Sequence, residues 1–262
     1  MTEPVLLQIE GAVATVLINR PDQRNALDAA AKSLLVKRLG QVAADDAIRA
    51  VVLTGAGSAF CVGQDLGQHA QALAADAATA FDTVDQDYNP VITLLATMPK
   101  PVVAAVNGTC VGAGLGLALA CDLRVLSAAA KFGTAFCGIG LTCDSGLSVS
   151  LVRAVGQARA AQLMLLGSIF TAEEAVGWGI SAIIADPATT VDQAVELARG
   201  LAAGPTRAFA ETKALLSAAP SATLAEALAA ESAAQHRLGL TRDHQDAVAA
   251  FLNKEKPTFS GS

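Results

Sequence analysis

"PVVAAVNGTCVGAGLGLALACDL", residues 101–123, packs a strand, a glycine-rich turn, a helix and the start of another strand into a short span. Pro99 and Pro101 disfavour helix on the N-terminal side, so the chain enters "PVVAAVNG" extended. That run is continuously apolar, as a strand buried on both faces requires. Gly112, Gly114 and Gly116 then open "GAGLGLALAC", which reads as a short helix. "VVLTGAGSAFCVGQDL" (51–66) repeats the strand-and-glycine-turn theme upstream. Strands alternating with helices in this way place the chain in the α/β class.

Outward from these units the pattern continues. "VLLQIEGAVATVLINR" reads as two short strands joined at Glu10-Gly11, a hairpin signal. "ALDAAAKSLLVKRLGQVAADD" has Leu27, Ala31, Leu34, Leu35 and Val42 near a helical period. Gln68 to Asp87 is an Ala/Asp/Gln stretch read as a mobile connection. "DLRVLSAAAKFGT" reads as one strand, and "SGLSVSLVRAVGQARAAQLMLLG" as one long helix ending at Gly167. After "ISAIIAD" the chain is almost wholly helical, with Val191, Ala194, Val195, Ala198 and Leu201 marking one apolar face. This organisation predicts a core over residues 1–204 and a C-terminal helical region over 205–262, with a soft boundary near Pro205.

The 262 residues are 53% hydrophobic and only 16% charged. Such a chain has little charge to cover its surface, so self-association is expected. With 18 basic and 24 acidic residues the net charge is −6, which excludes the basic footprint of a duplex nucleic-acid binder. No apolar run reaches the roughly 18 residues of a membrane span. "MTEPVLLQIE" is acidic and runs directly into a strand, so no targeting peptide is expected and the protein is read as cytoplasmic. Five cysteines without a C-x-x-C pair read as reduced thiols. His69, His236 and His244 have no zinc spacing with them, so no metal site is expected.

The glycine turns admit several readings. Gly112-x-Gly114-x-Gly116 is not the G-x-G-x-x-G of a dinucleotide turn, and Asp122 is too near to be its ribose-binding acid. There is no G-K-[ST] of a phosphate loop and no G-x-S-x-G of a serine hydrolase. Tight packing explains the glycines structurally. A chemical alternative is that each turn presents an unshielded peptide N–H, the donor type that stabilises an oxyanion.

Four segments in order, "NRPDQRNALD" (19–28), "GAGSAFCVGQDL" (55–66), "NGTCVGAGLGLALACDLRV" (107–125) and "KFGTAFCGIGLTCDSG" (131–146), resemble the crotonase (enoyl-CoA hydratase/isomerase) family, as does the tail "DAVAAFLNKEKPTFSG". The resemblance spans nearly the whole chain. It implies a crotonase-like spiral of ββα repeats with an α-helical C-terminal region, assembled as a homo-trimer or a dimer of trimers. It implies an acyl-CoA thioester substrate, with coenzyme A carried by that substrate and no separate cofactor. By motif position the oxyanion hole would be the peptide N–H groups of Gln64 and Ala113. Substrate contacts would come from Arg24, Ala26, Phe60, Gly63, Asp65, Leu66, Gly112, Gly116, Phe136 and Leu141, and the Gln68–Asp87 loop, with Tyr88 just beyond it, would help to shape the acyl pocket. Phe251, Lys254 and Lys256 fall in the tail that relatives place over a neighbouring subunit's coenzyme A; on sequence alone a solvated helix end is the better reading of them.

The resemblance also separates reactions. Hydratases of the family activate water with two glutamates; the corresponding positions here are Gly116 and Phe136, which cannot exchange a proton. The remaining carboxylate is Asp144 in "GLTCDSGLS", at the place where the family's isomerases, such as dienoyl-CoA isomerases and the ring-epoxide isomerases of phenylacetate breakdown, carry a catalytic aspartate. Asp144 also precedes a predicted helix, where Asp is a favoured N-cap. The two roles imply opposite behaviour: cap hydrogen bonds lower the carboxyl pKa, whereas apolar burial raises it. Ser145 is a second candidate cap. The sequence therefore points to an enzyme that moves a C=C double bond. A hydratase, another thioester reaction on this fold and an inactive acyl-CoA binder are the alternatives.

Overall fold

The computed structural model describes residues 3–262. Ten strands are β1 Val5–Glu10, β2 Val13–Ile18, β3 Ala50–Gly55, β4 Ala59–Cys61, β5 Val102–Val106, β6 Thr109–Val111, β7 Leu123–Ser127, β8 Lys131–Gly133, β9 Phe170–Thr171 and β10 Ile183–Ala185. The helices are α1 Ala29–Ala44, α2 Leu66–Ala75, α3 Asn89–Thr97, α4 Ala113–Ala120, α5 Leu147–Val155, α6 Gln157–Leu166, α7 Ala172–Gly177, α8 Thr190–Ala202, α9 Thr206–Ala218, α10 Leu224–Gly239 and α11 Arg242–Leu252.

The strands form two sheets, of order β1-β2-β3-β5-β7-β10 and β4-β6-β8-β9. Each turn of the chain gives one strand to the large sheet and the next to the small one, then closes with a helix. The sets β3/β4/α2, β5/β6/α4 and β7/β8/α5 are successive turns of this ββα spiral. The β1–β2 hairpin is antiparallel, and the rest of the large sheet is parallel. Its central strands are apolar throughout because both faces are covered. One face packs on Leu35, Leu39 and Leu95 of α1 and α3. The other meets Ala194, Ala198 and Ala202 of α8, whose small side chains let the helix lie close.

Three expectations change. Gln68–Asp87 is not one mobile connection: α2 covers its start, capped by the Asp65 side chain on the Gln68 N–H at 3.1 Å, and Val84–Tyr88 is a π-helical turn leading into α3. "DLRVLSAAAKFGT" makes two strands in different sheets. The long helix divides at Gly156, whose φ of 77° and ψ of 158° suit glycine alone.

Candidate active site

The two glycine turns converge. Gly63, with φ 87°, follows β4, and Gly112, with φ 59°, follows β6; the parallel pairing of those strands brings the turns side by side. A Cβ built on Gly63 would stand 3.4 Å from the Ala113 nitrogen and 3.3 Å from the Val111 oxygen, so any side chain there would press on the neighbouring turn. Among the described residues neither the Gln64 N–H nor the Ala113 N–H has a backbone acceptor. Ala113 is the first residue of α4, where unpaired N–H groups and the helix dipole favour negative charge. Both turns border a cavity of about 300 Å³, lined by Ala26, Gly63, Leu66, Gly112, Phe136 and Leu141, and by Asp144.

Among the described residues Asp144 is the sole carboxylate lining this cavity. It does not cap α5: Gly146 occupies that position without any side-chain bond, and only the Asp144 carbonyl accepts the Leu147 N–H, at 3.1 Å. Ser145 is not the cap either, since its hydroxyl donates to Asp144 Oδ1 at 2.7 Å. Burial raises the Asp144 carboxyl above the ordinary carboxylate range, and the Ser145 hydrogen bond and the nearby Lys32 charge offset this in part. Lys32 is itself buried, with its ammonium 5.3 Å from the Tyr88 ring centre and 3.7 Å from Asp87 Oδ2. The direction is that of apolar burial, opposite to that of a cap.

The turn carrying Asp144 fits only because residue 116 lacks a side chain. A Cβ on Gly116 would meet Ser145 Cβ at 2.5 Å and Ser145 O at 2.7 Å. Gly116 therefore packs under the Asp144 turn and does not line the cavity, contrary to the sequence expectation.

Residues 8–262 match the family model described as Enoyl-CoA hydratase/isomerase. The chain belongs to the enoyl-CoA hydratase/isomerase family. It is 40% identical, over all of both chains, to the 1,2-epoxyphenylacetyl-CoA isomerase of Escherichia coli strain K12. It is 38% identical, across 97% of this chain and 96% of the other, to a Rhodobacter capsulatus protein named "Probable enoyl-CoA hydratase". A crystal structure from Mycobacterium abscessus, assigned as an enoyl-CoA hydratase/isomerase, superposes with a TM-score of 0.95 at 48% identity, covering 98% of this chain and all of that one.

For this family member the other sequence-derived contacts fall in different places. Phe60 is fully buried in the core and does not reach the cavity, because β4 turns its side chain inward. Asp65 caps α2 and pairs with Arg20 at 3.1 Å, which makes it a strut. That same Arg20 guanidinium pairs with Asp28 at 3.0 Å and donates to the Ala26 carbonyl. It thus binds the caps of α1 and α2 to a cavity-lining residue. Arg24 is exposed, left-handed at φ 52°, and donates to Thr109 Oγ1 at 2.8 Å, outside the cavity. Phe251 and Lys256 are exposed, and Lys254, also exposed, forms the turn after α11. Among the described residues no cluster of His, Cys, Asp or Glu could hold a metal ion.

Of the Gln68–Asp87 stretch expected to shape the acyl pocket, His69, Phe81 and Val84 line this cavity, together with Phe136 and Leu141. The sequence names His69 singly only for zinc spacing and otherwise holds it as one residue of that loop. Its available signal was its place in the turn directly after Gln64, on a helix that composition had concealed.

Proposed function

We propose that this enoyl-CoA hydratase/isomerase family protein is an isomerase that moves a C=C double bond in an enoyl-CoA. The observation that carries the reading is Asp144, raised by burial and alone among the described carboxylates in a cavity that the two glycine turns border. With the thioester carbonyl oxygen seated between the Gln64 and Ala113 N–H groups, Asp144 takes a proton from C2 of a 3-enoyl thioester. The electron pair moves onto the carbonyl oxygen, and the resulting enolate is held by the two donors. The same carboxyl returns the proton to C4, leaving the double bond at C2. The step is redox-neutral, so no oxidant or further cofactor is required beyond the coenzyme A of the substrate. Each such donor contributes roughly 10²–10³ in rate, and a positioned acid–base group about 10²–10⁴.

Hydration is the weaker reading because Gly116 and Phe136 stand where the resemblance places the hydratase glutamates. The space a longer side chain at 116 would need is occupied by Ser145. Identity of 40% to an isomerase supports the same preference, although other relatives carry hydratase names. Supplying the protein with a 3-enoyl-CoA, a 2-enoyl-CoA, a saturated acyl-CoA and 1,2-epoxyphenylacetyl-CoA discriminates the reactions by product. Double-bond migration supports the proposal; hydration, free coenzyme A, or ring-epoxide isomerisation without double-bond migration overturns it. Asp144→Asn is expected to fold, to bind acyl-CoA and to lose at least about 10² in kcat, and undiminished turnover would remove Asp144 from the mechanism. Tight acyl-CoA binding with no product from any substrate would mark an inactive binder.

A further inference from the structure

The cavity has four polar side chains in its wall: Gln64, Thr134, Asp144 and His69. Three are engaged. Thr134 donates to the Leu163 carbonyl at 3.1 Å. Asp144 accepts the Ser145 hydroxyl. Gln64 Nε2 donates to His69 Nδ1 at 3.1 Å. With Nδ1 accepting, the neutral imidazole carries its proton on Nε2. Among the described residues Nε2 has no hydrogen-bond partner. The ring is also held edge-to-face against Phe81, with centroids 5.2 Å apart and planes at 70°. Two contacts on different sides thus fix the imidazole, and the helix carrying it is anchored at Asp65 to Arg20.

We propose that His69 Nε2–H is a fixed hydrogen-bond donor in the acyl pocket, and that the preferred acyl group carries an oxygen acceptor within its reach. This rests on the reading of the cavity as the acyl-CoA site. Apart from the four polar side chains the wall is apolar, with Leu66, Phe81, Val84, Phe136 and Ile139 among its residues. His69 borders both this cavity and the neighbouring one lined by Lys32, Gln68 and Asp87; with Nε2–H turned to the acyl side, a hydrocarbon acyl group would leave it stripped of water and unpaired, which is unfavourable. An ether, carbonyl or epoxide oxygen at that point would satisfy it. An all-apolar wall would exclude such a group, so one donor placed here sets specificity in both directions.

The test replaces one methylene by oxygen at constant shape. Equilibrium binding by calorimetry compares hexanoyl-CoA with its 3-oxa, 4-oxa and 5-oxa analogues, all saturated at C2–C3 and unable to undergo double-bond migration. For the wild type at least one oxa analogue is expected to bind about fivefold more tightly than hexanoyl-CoA, the worth of one neutral hydrogen bond. In His69→Phe the same analogue should bind more weakly than hexanoyl-CoA, because its oxygen then enters an apolar wall. Hexanoyl-CoA should bind the variant at least as well as the wild type, which serves as the control for folding. Uniformly weaker oxa binding to the wild type, or a preference that survives His69→Phe, overturns the proposal. Failure of the isomerase reading is separate: it appears as absent double-bond migration in the turnover assay, whatever the binding preference.

Discussion

At Asp144 function and stability oppose each other. An unfolded aspartate titrates near 3.9, and burial holds the native carboxyl above that. The native chain therefore binds this proton more tightly than the unfolded chain. The stability linked to it is complete below about pH 3.9 and is lost as pH rises through the native value. At neutral pH the half-buried carboxylate is a net cost to folding. Asn keeps an oxygen for the Ser145 hydroxyl and carries no charge, so Asp144→Asn is expected to have a higher urea midpoint than wild type at pH 7. The gap should close towards pH 4, and a less stable variant at pH 7 would contradict the burial account. Kinetically, a base must be ionised, so kcat/KM should lose its acid limb above the ordinary carboxylate range. His69 shows how a residue's own contacts can escape sequence reading even where its segment is assigned to the pocket. Its pairing with Gln64 and Phe81 depends on α2 and on the π-helical turn at Val84–Tyr88, and neither is announced by the Ala/Asp/Gln composition between them.

At the scale of elements, periodicity and punctuation made most of the fold legible. The Glu10-Gly11 hairpin, the apolar runs of β3 and β5 and the α1 stripe follow from alternation, burial and 3.6-residue spacing. What failed was partition. The apolar pattern runs on through Gly156, but the backbone there turns to φ 77° and ends the helix. Nothing in "DLRVLSAAAKFGT" states that its two halves join different sheets, since that depends on pairing with β5 and with β6. The candidate site was legible where backbone geometry carries it, in Gly63 and Gly112, and illegible where packing does. Gly116 is the clearest instance: its sequence meaning was a missing glutamate, and its structural meaning is contact between α4 and the turn before α5. Gly116→Ala sets a Cβ 2.5 Å from Ser145 Cβ, and overpacking of this kind costs about 1–3 kcal/mol. The displaced turn carries Asp144, so kcat should fall at least about tenfold, since small misplacements at a reacting centre are costly, with a smaller change in KM. Urea denaturation and steady-state kinetics measure both, and wild-type kcat would show that the turn adjusts without moving the carboxylate.

At the scale of the molecule the open question is what covers its apolar surface. Leu165 is 73% exposed at the end of α6, with Leu166 and Ile169 beside it in sequence; Leu240 and Phe251 of the C-terminal region are 82% and 81% exposed. Isolated apolar residues on a surface need no explanation, but groups of large ones mark association. The tail does not fold back to hide them. It is fastened elsewhere, with Arg49 donating to the Phe259 carbonyl at 2.9 Å and buried Asp243 accepting the Ser260 and Gly261 N–H groups. The helical C-terminal region is thereby fixed to the start of β3 while its apolar side chains face outward. A chain with 16% charged residues has few means of keeping such a surface solvated. The protein is accordingly expected to assemble with itself; that it does so in threes or pairs of threes is what the family resemblance implies. Light scattering coupled to size exclusion at micromolar concentration should give three or six times the 26.4 kDa chain mass. Leu165→Asp combined with Leu166→Asp alters residues that are already exposed, so each chain should still fold while the assembly loosens. A wild-type mass of one chain would show that these leucines are surface residues without a partner, and would separate the acyl-CoA site from any contribution by a neighbouring subunit.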